Sequence, residues 1–211
     1  MIPLNSNLAT LKRSAIRVYT NLARQTPDCA MLTIGEPDFD TPEAVKQAAC
    51  RALSRGQTHY APNQGTAALR SAIAAYETGR GNPTTPENVL TVGSSQALFT
   101  ALLGILNPGE EVIVPVPAFS LYETIITIAG GRMVPLDVSE TGFQIDEGAL
   151  ERLITPKTKA VILNSPNNPT GVILNEQSLA AVKRAVLGKP VFIISDNVYN
   201  QLAYAPCPDL S

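Results

Sequence analysis

Hydrophobic positions in the second half of the chain form two kinds of segment that alternate. One kind is a short run of β-branched and aliphatic residues that ends abruptly in polar side chains, which is typical of strands buried in a parallel sheet. The other kind spaces its apolar residues as a helix does. We predict strands over residues 88–92, 111–115, 132–136, 159–164 and 190–195, and helices over residues 95–106, 119–129, 146–154 and 175–187.

The alternation of strand and helix indicates the fold class. Units of this kind need right-handed crossover connections, which place helices against a mostly parallel sheet. We therefore expect an α/β fold with three layers, α/β/α.

The first part of the chain is predicted to be helical with irregular connections. Thr41-Pro42-Glu43 marks a helix start, because a cap, a proline at the first position and an acidic first turn follow one another. Residues 32–40 are predicted to be irregular. We predict helices over residues 7–24, with Ser6 as the cap, from Glu43 to near Gly56, and over residues 66–78.

The composition is that of a globular protein. Of the 211 residues, 45% are hydrophobic and 16% are charged, which allows one large domain or two small ones. The net charge is −2 and the basic residues are scattered, so a nucleic-acid binder is disfavoured.

Cysteine and histidine usage disfavours two kinds of site. The three cysteines, Cys29, Cys50 and Cys207, form no C-x-x-C pair, and His59 is the single histidine. We therefore predict no disulfide framework and no metal site. The chain shows no signal peptide at its start and no apolar stretch long enough to span a bilayer, so we expect a cytoplasmic protein.

Polar side chains follow the last two predicted strands. Asn168 comes after the strand over residues 159–164, while Asp196 and Tyr199 follow the strand over residues 190–195. Carboxyl ends of parallel strands meet at one edge of the sheet, where open α/β folds bind ligands. An amide, a carboxylate and a phenol at this edge suit a flat, polar heterocycle. Simple turn formation around Asn168 and capping by Asp196 are the alternative interpretations.

Two further segments follow predicted strands. Ser94, Ser95 and Gln96 come after Gly93 and open a helix, whose free N–H groups and dipole favour a phosphate, although an ordinary serine-capped helix start explains the same residues. Phe119 can lie on a flat ligand, although most phenylalanines belong to the core. No G-x-G-x-x-G follows the first strand, so a nucleotide-binding Rossmann domain is disfavoured.

Five motifs in one order resemble those of a known family. They occupy residues 34–42, 59–65 with 69–70, 91–98, 164–171 and 195–199. On these motifs the chain resembles the pyridoxal-phosphate-dependent aminotransferases of classes I and II, which have fold type I. The family usually has Asp-Glu where this chain has Asp196-Asn197.

The resemblance implies pyridoxal 5′-phosphate as the cofactor. Asp196 would keep the ring nitrogen protonated, because an adjacent anion stabilises the charged ring. Asn168 and Tyr199 would address the 3′ oxygen, and Phe119 would stack on the ring. The residues implied to contact the cofactor phosphate are Ser94, Ser95 and Gln96.

The resemblance also implies a substrate site and a partner. Gly35 and Asn168 would lie beside the amino acid or 2-oxo acid substrate. Tyr60 would reach the cofactor phosphate of the neighbouring subunit, which implies a homodimer in the complete protein.

The lysine that carries the cofactor in this family is absent from the chain. The family places this Schiff-base lysine downstream of the Asp-x-x-Tyr strand, and no lysine follows Lys189 here. We therefore predict no catalytic residue and expect a fragment. Residues 1–42 would form an N-terminal helix and entry segment on the small-domain side, and residues 43–211 a partial cofactor-binding large domain. The strand over residues 88–92 would then lack a neighbour, and the strand over residues 190–195 would leave a bare edge.

The function implied by the resemblance is transfer of an amino group between an amino acid and a 2-oxo acid. Without the lysine, we expect this chain to be inactive on its own. Two alternatives stay open. A β-lyase of the same fold would use the same cofactor site. A non-catalytic remnant that acts as an interaction protein would account for the missing lysine.

Overall fold

A computed structural model describes residues 15–208 of the chain. Its contacts divide these residues into two compact units, residues 15–92 and residues 93–208. In the part of the chain so described, no helix is long and apolar enough to cross a membrane.

The first unit is helical. It contains α1 (Ala15–Gln25), α2 (Glu43–Ser54), α3 (Ala67–Gly79) and a short 3-10 helix (Pro86–Asn88). The helix α2 begins directly after Pro42, and Thr66 caps α3 by accepting a hydrogen bond from the N–H of Leu69 at 3.4 Å. The predicted helices over residues 43–56 and 66–78 and the irregular segment 32–40 are confirmed. The cap predicted at Ser6 and the first half of the predicted helix 7–24 lie outside the described residues.

The predicted strand over residues 88–92 is wrong. Asn88 ends the 3-10 helix, and the residues after it are extended but belong to no sheet ladder in the described structure. The N–H of Thr91 instead donates to the main-chain oxygen of Gln64 at 3.1 Å. An extended apolar segment becomes a strand only when a neighbouring strand completes its hydrogen bonds. The expectation that this segment lacks a sheet neighbour is confirmed for residues 15–208.

The second unit is a parallel α/β structure. Its helices are α4 (Ser94–Ile105), α5 (Leu121–Ile128), α6 (Glu147–Leu153) and α7 (Glu176–Val186), and its strands are β1 (Glu111–Val116), β2 (Arg132–Asp137), β3 (Thr158–Asn164) and β4 (Phe192–Asp196). The strand order is β2-β1-β3-β4, and all three pairings are parallel. The predicted α/β class with a parallel sheet is confirmed.

Alternate residues of the central strands enter two separate cores. Val112 and Val114 of β1 pack with residues of α4 and α5 on one face of the sheet. Ile113 of β1 and Val161 of β3 pack with residues of α6 and α7 on the other face. Helices on both faces give the three layers, and each fully buried aliphatic side chain contributes about 1.5–3 kcal/mol to stability. Burial on both faces explains why these strands are continuous apolar runs.

Strand β4 is an edge of the sheet. It pairs with β3 and has no second neighbour among the described residues. Its first residues, Phe192 and Ile193, are 52% and 38% exposed. The expectation of a bare edge at this strand is confirmed for the described chain.

A buried carboxylate joins the amino ends of three strands. Glu111 begins β1 and accepts hydrogen bonds from Arg132 of β2 at 2.6 Å and from Thr155, which precedes β3, at 2.8 Å. The Arg132 guanidinium, followed by the Thr155 hydroxyl, holds the pKa of Glu111 below its ordinary value. This charged group stabilises the edge of the sheet opposite to the ends that carry the candidate site.

Candidate functional site

The carboxyl ends of β3 and β4 lie side by side. In the ladder between these strands, Asn164 is paired with Asp196, the last residue of β4. The Asn164 side chain donates from Nδ2 to the main-chain oxygen of Asp196 at 2.9 Å and accepts at Oδ1 from the N–H of Asn168 at 2.7 Å. Asn164 is buried, so both ends of its amide are satisfied inside the protein. It therefore ties Asp196 and the start of the following loop together.

The loop after β3 is held by its own polar groups. Asn167 accepts two hydrogen bonds at Oδ1, from the N–H of Thr170 at 3.2 Å and from its hydroxyl at 3.0 Å. The buried Ser165 hydroxyl accepts from the N–H of Leu174 at 3.0 Å. Gly171 has φ 71°, a left-handed conformation that glycine adopts without steric cost. These bonds explain why the motif has more turn-forming residues than a simple turn needs.

Asn168 and Tyr199 meet across the two strand ends. The Nδ2 atom of Asn168 lies 3.4 Å from the hydroxyl of Tyr199, at the long end of hydrogen-bond distance. Both groups are donors, so they can converge on one oxygen atom of a ligand. Sequence reasoning placed both residues at this edge, and the structure brings them into contact.

The carboxylate of Asp196 is bonded on both oxygens. Oδ1 accepts from the N–H of Val198 at 3.3 Å, and Oδ2 accepts from the hydroxyl of Tyr122 at 2.6 Å. Burial, followed by the bond to Asp196, raises the pKa of Tyr122 well above its ordinary value, so Tyr122 remains a neutral donor.

Tyr122 is a site residue that sequence reasoning missed. It lies on α5 and is 1% exposed, and its ring meets the ring of Phe119 edge-on, with centroids 5.7 Å apart and planes at 88°. Its position three residues after Phe119 was the available signal, because helical residues three apart lie on one face. Asn164 was also missed. Tyr122 and Asn164 both contact Asp196 from positions distant in sequence, and a local sequence pattern does not reveal such contacts. Phe119, Tyr122, Asp196, Asn164, Asn168 and Tyr199 thus form one connected group.

The first turn of α4 carries Ser94, Ser95 and Gln96. All three residues are exposed, and the N-cap residue Gly93 provides no side-chain hydrogen bond to the turn. The helix packs on the same core as Phe119 and Tyr122. No hydrogen bond within residues 93–208 joins Ser94, Ser95 or Gln96 to Asp196. The structure therefore leaves an uncapped helix start on the same side of the sheet as α5.

The two remaining candidates belong to the other compact unit. Gly35 lies in the irregular segment before α2, where a β-carbon in place of its hydrogen would meet no atom within 4 Å. Tyr60 is fully exposed. Their roles stay predictions.

Comparison with known proteins identifies the family. The family model described as "Aminotransferase class I and II" matches residues 27–211. The chain is 45% identical over 186 residues to the aspartate/prephenate aminotransferase of Thermus thermophilus, covering 87% of this chain and 48% of that protein. It is 40% identical over 204 residues to a probable N-acetyl-LL-diaminopimelate aminotransferase of Bacillus subtilis, covering 95% of this chain and 52% of that protein.

Solved structures give the same result. The aspartate aminotransferase from Thermus thermophilus with maleate has a TM-score of 0.93 at 41% identity, covering 100% of this chain and 57% of that chain. The chain thus spans about half the length of the relatives it matches, in agreement with the expectation of a fragment. The matched motifs, the parallel sheet and the family match lead to one conclusion: the chain belongs to the class I and II aminotransferase family.

Proposed function

We propose that the whole protein transfers an amino group between an amino acid and a 2-oxo acid with pyridoxal 5′-phosphate, and that this chain supplies most of the cofactor site. The observation that supports this most strongly is the connected group at the carboxyl ends of β3 and β4. It combines one carboxylate, Asp196, with two neighbouring donors, Asn168 and Tyr199. Residues 1–42 are proposed to form the small-domain side and residues 43–211 the partial large domain.

The donor set fits the cofactor chemically. A protonated pyridine nitrogen needs an anion, which Asp196 provides, and a phenolate oxygen needs donors, which Asn168 and Tyr199 provide. A phosphate needs free N–H groups at a helix start, and the first turn of α4 offers them together with the hydroxyls of Ser94 and Ser95. When bound, pyridoxal phosphate supplies the electron sink that the reaction requires.

Each candidate site residue then has a proposed task. Asp196 holds the proton on the ring nitrogen, while Asn168 and Tyr199 donate to the 3′ oxygen and orient the ring. Phe119 packs on the ring face. Ser94, Ser95 and Gln96 bind the phosphate. The main chain of Gly35 and the amide of Asn168 contact the substrate, and Tyr60 contacts the cofactor phosphate of a second subunit in a homodimer.

The proton transfer itself needs a lysine that the chain lacks. Lys157 and Lys159 lie at the amino end of β3, opposite to Asp196, and Lys183 lies on α7. We propose that the chain alone binds the cofactor without covalent attachment and is inactive. We further propose that the whole protein acts in amino acid metabolism, in a biosynthetic process of the cytoplasm.

Reduction with borohydride tests the attachment. We expect that pyridoxal phosphate and borohydride leave no stoichiometric adduct on any one lysine of the 211-residue chain, as read by mass spectrometry. A complete adduct at a single lysine would contradict the proposal. The matched control is the same reaction on a full-length relative, which should be labelled at its own lysine.

A chimera separates an enzyme from a non-catalytic remnant. A non-catalytic remnant that acts as an interaction protein is the second candidate, and it needs its own test. We propose to join this chain to the carboxyl-terminal half of the Thermus thermophilus aspartate aminotransferase, of which it covers 57%. Amino transfer that is lost in the Asp196→Ala chimera supports the enzyme. A folded chimera that binds the cofactor but has no activity favours the remnant, and one that releases ammonia instead favours the β-lyase.

A further inference from the structure

The contact between Tyr122 and Asp196 joins two elements that are distant in sequence. The residues are 74 positions apart, one on α5 and the other at the end of β4. The distance of 2.6 Å from the Tyr122 hydroxyl to Oδ2 is that of a charge-assisted hydrogen bond. Bonds of this kind are roughly twice as strong as neutral ones. The side chain of Tyr122 is almost completely buried, whereas Asp196 is partly exposed, so the donor side of this bond is shielded from water.

Three different elements fix the position of Asp196. Tyr122 of α5 bonds Oδ2, the N–H of Val198 bonds Oδ1, and Asn164 of β3 bonds the main-chain oxygen. The last two of these bonds involve main-chain atoms of the strand end and its turn. The bond from the Tyr122 hydroxyl is shorter than the one from Val198, at 2.6 Å against 3.3 Å, and it comes from a buried side chain. The direction of the carboxylate therefore depends mainly on that hydroxyl.

We propose that Tyr122 is a positioning residue, whose hydroxyl holds the Asp196 carboxylate in the one orientation that faces the ring nitrogen of pyridoxal phosphate. The proposal rests on the proposed function of Asp196. Tyr122 acts through Asp196 and touches no reacting atom itself. The hydroxyl stays protonated over the working range of pH, because burial and the adjacent carboxylate oppose its ionisation.

The ring of Tyr122 makes a second contact, and the test must distinguish the loss of this contact from the loss of the hydroxyl. It meets Phe119 edge-on, an arrangement worth about 0.5–1.5 kcal/mol beyond its buried area. Tyr122→Phe removes only the hydroxyl and keeps this ring contact, whereas Tyr122→Leu removes both. Tyr204→Phe is the matched control, because Tyr204 is fully exposed.

The test compares two cofactors that differ in one atom. The affinity of the cofactor-free chimera described under Proposed function is measured for pyridoxal phosphate and for its deaza analogue, in which a carbon atom replaces the ring nitrogen. We expect Tyr122→Phe to weaken the binding of pyridoxal phosphate roughly tenfold, since a hydrogen bond to a charged group is lost. Binding of the deaza analogue, which has no nitrogen to face Asp196, should change little. Tyr204→Phe should change neither.

The outcomes separate this proposal from the proposed function. Asp196→Asn should remove the preference for pyridoxal phosphate over the analogue; if it does not, Asp196 does not face the ring and both proposals fail. If Asp196→Asn removes the preference and Tyr122→Phe weakens both cofactors equally or neither, only the positioning role is overturned.

A measurement without cofactor tests the contact between Tyr122 and Asp196 directly. Exchange of the Tyr122 hydroxyl proton with solvent is followed by nuclear magnetic resonance in wild type and Asp196→Ala. We expect a slowly exchanging hydroxyl signal in the wild type, because the bond to Asp196 protects that proton, and faster exchange in Asp196→Ala. Equally fast exchange in the two proteins would overturn the proposal even if Tyr122→Phe fails to fold.

Discussion

Asn164 donates to the main-chain oxygen of Asp196 at 2.9 Å and accepts from the N–H of Asn168 at 2.7 Å, so one buried amide joins the two strand ends of the candidate site. Its place in the sheet ladder beside Asp196 explains how it can do both. The relative position of the carboxylate and the loop amide is therefore set by β3 and not by the loop alone.

Asn164→Ala should release the loop without unfolding the sheet. The N–H of Asn168 loses its acceptor, and a lost buried hydrogen bond costs about 1–3 kcal/mol. We expect the amide of Asn168 to exchange its hydrogen at least about tenfold faster, as measured by nuclear magnetic resonance. Asn175→Ala is the control, since it removes the cap of α7, where Oδ1 accepts from Ser178 at 2.8 Å, and leaves the loop bond intact. Equal exchange of Asn168 in both variants would contradict this interpretation.

Acid should destabilise the fold through Glu111, which lies at the amino ends of the strands, opposite to the candidate site. Its pKa is lowered by Arg132 and Thr155, so its ionised form stabilises the fold above the ordinary value of 4.5. That contribution is lost as the pH falls through the lower, folded-state pKa. In the chimera described under Proposed function, we expect the thermal midpoint of the wild type to fall more steeply below about pH 4.5 than that of Glu111→Gln. Glu123→Gln, at an exposed position on α5, should follow the wild-type curve. A Glu111→Gln curve parallel to the wild type would disprove this role.

The bare edge at β4 should make the isolated chain associate with itself. Phe192 and Ile193 are exposed there, and an unpaired strand edge pairs readily with another chain. We expect poor solubility or non-cooperative unfolding of the 211-residue chain, and a larger monomeric fraction for Phe192→Lys by light scattering. Leu187→Lys is the control, because Leu187 is 75% exposed but lies outside the strand. A sharp, reversible melt of the wild-type monomer would contradict the expectation.

The sequence predicted the elements of the second unit to within about two residues. Continuous apolar runs identified β1 and β3, because strands covered on both faces have no polar face to interrupt them. The run of β4 is also apolar, although β4 is the exposed edge of the described sheet. Residues 88–92 show the limit of the method, since their pattern is that of a strand but pairing depends on a neighbour that no local pattern reveals. Polar residues at strand ends indicated Asn168, Asp196 and Tyr199.

The contacts that complete the site could not be predicted in the same way. Tyr122 meets Asp196 across 74 positions, and Asn164 meets it across 32. Both depend on the strand order β2-β1-β3-β4, which follows from packing and not from periodicity. A buried tyrosine on an apolar helix looks like a core residue until its partner is known.

A titration of the isotope-labelled, cofactor-free chimera with pyridoxal phosphate, followed by nuclear magnetic resonance, tests the central claim most directly. If the strand ends and the first turn of α4 surround one ligand, the amide signals of Ser95, Phe119, Asn168, Asp196 and Tyr199 shift together with a single dissociation constant, while Arg132 at the opposite edge of the sheet does not shift. Signals that shift elsewhere, or with unrelated dissociation constants, would contradict the claim that these residues form one cofactor site.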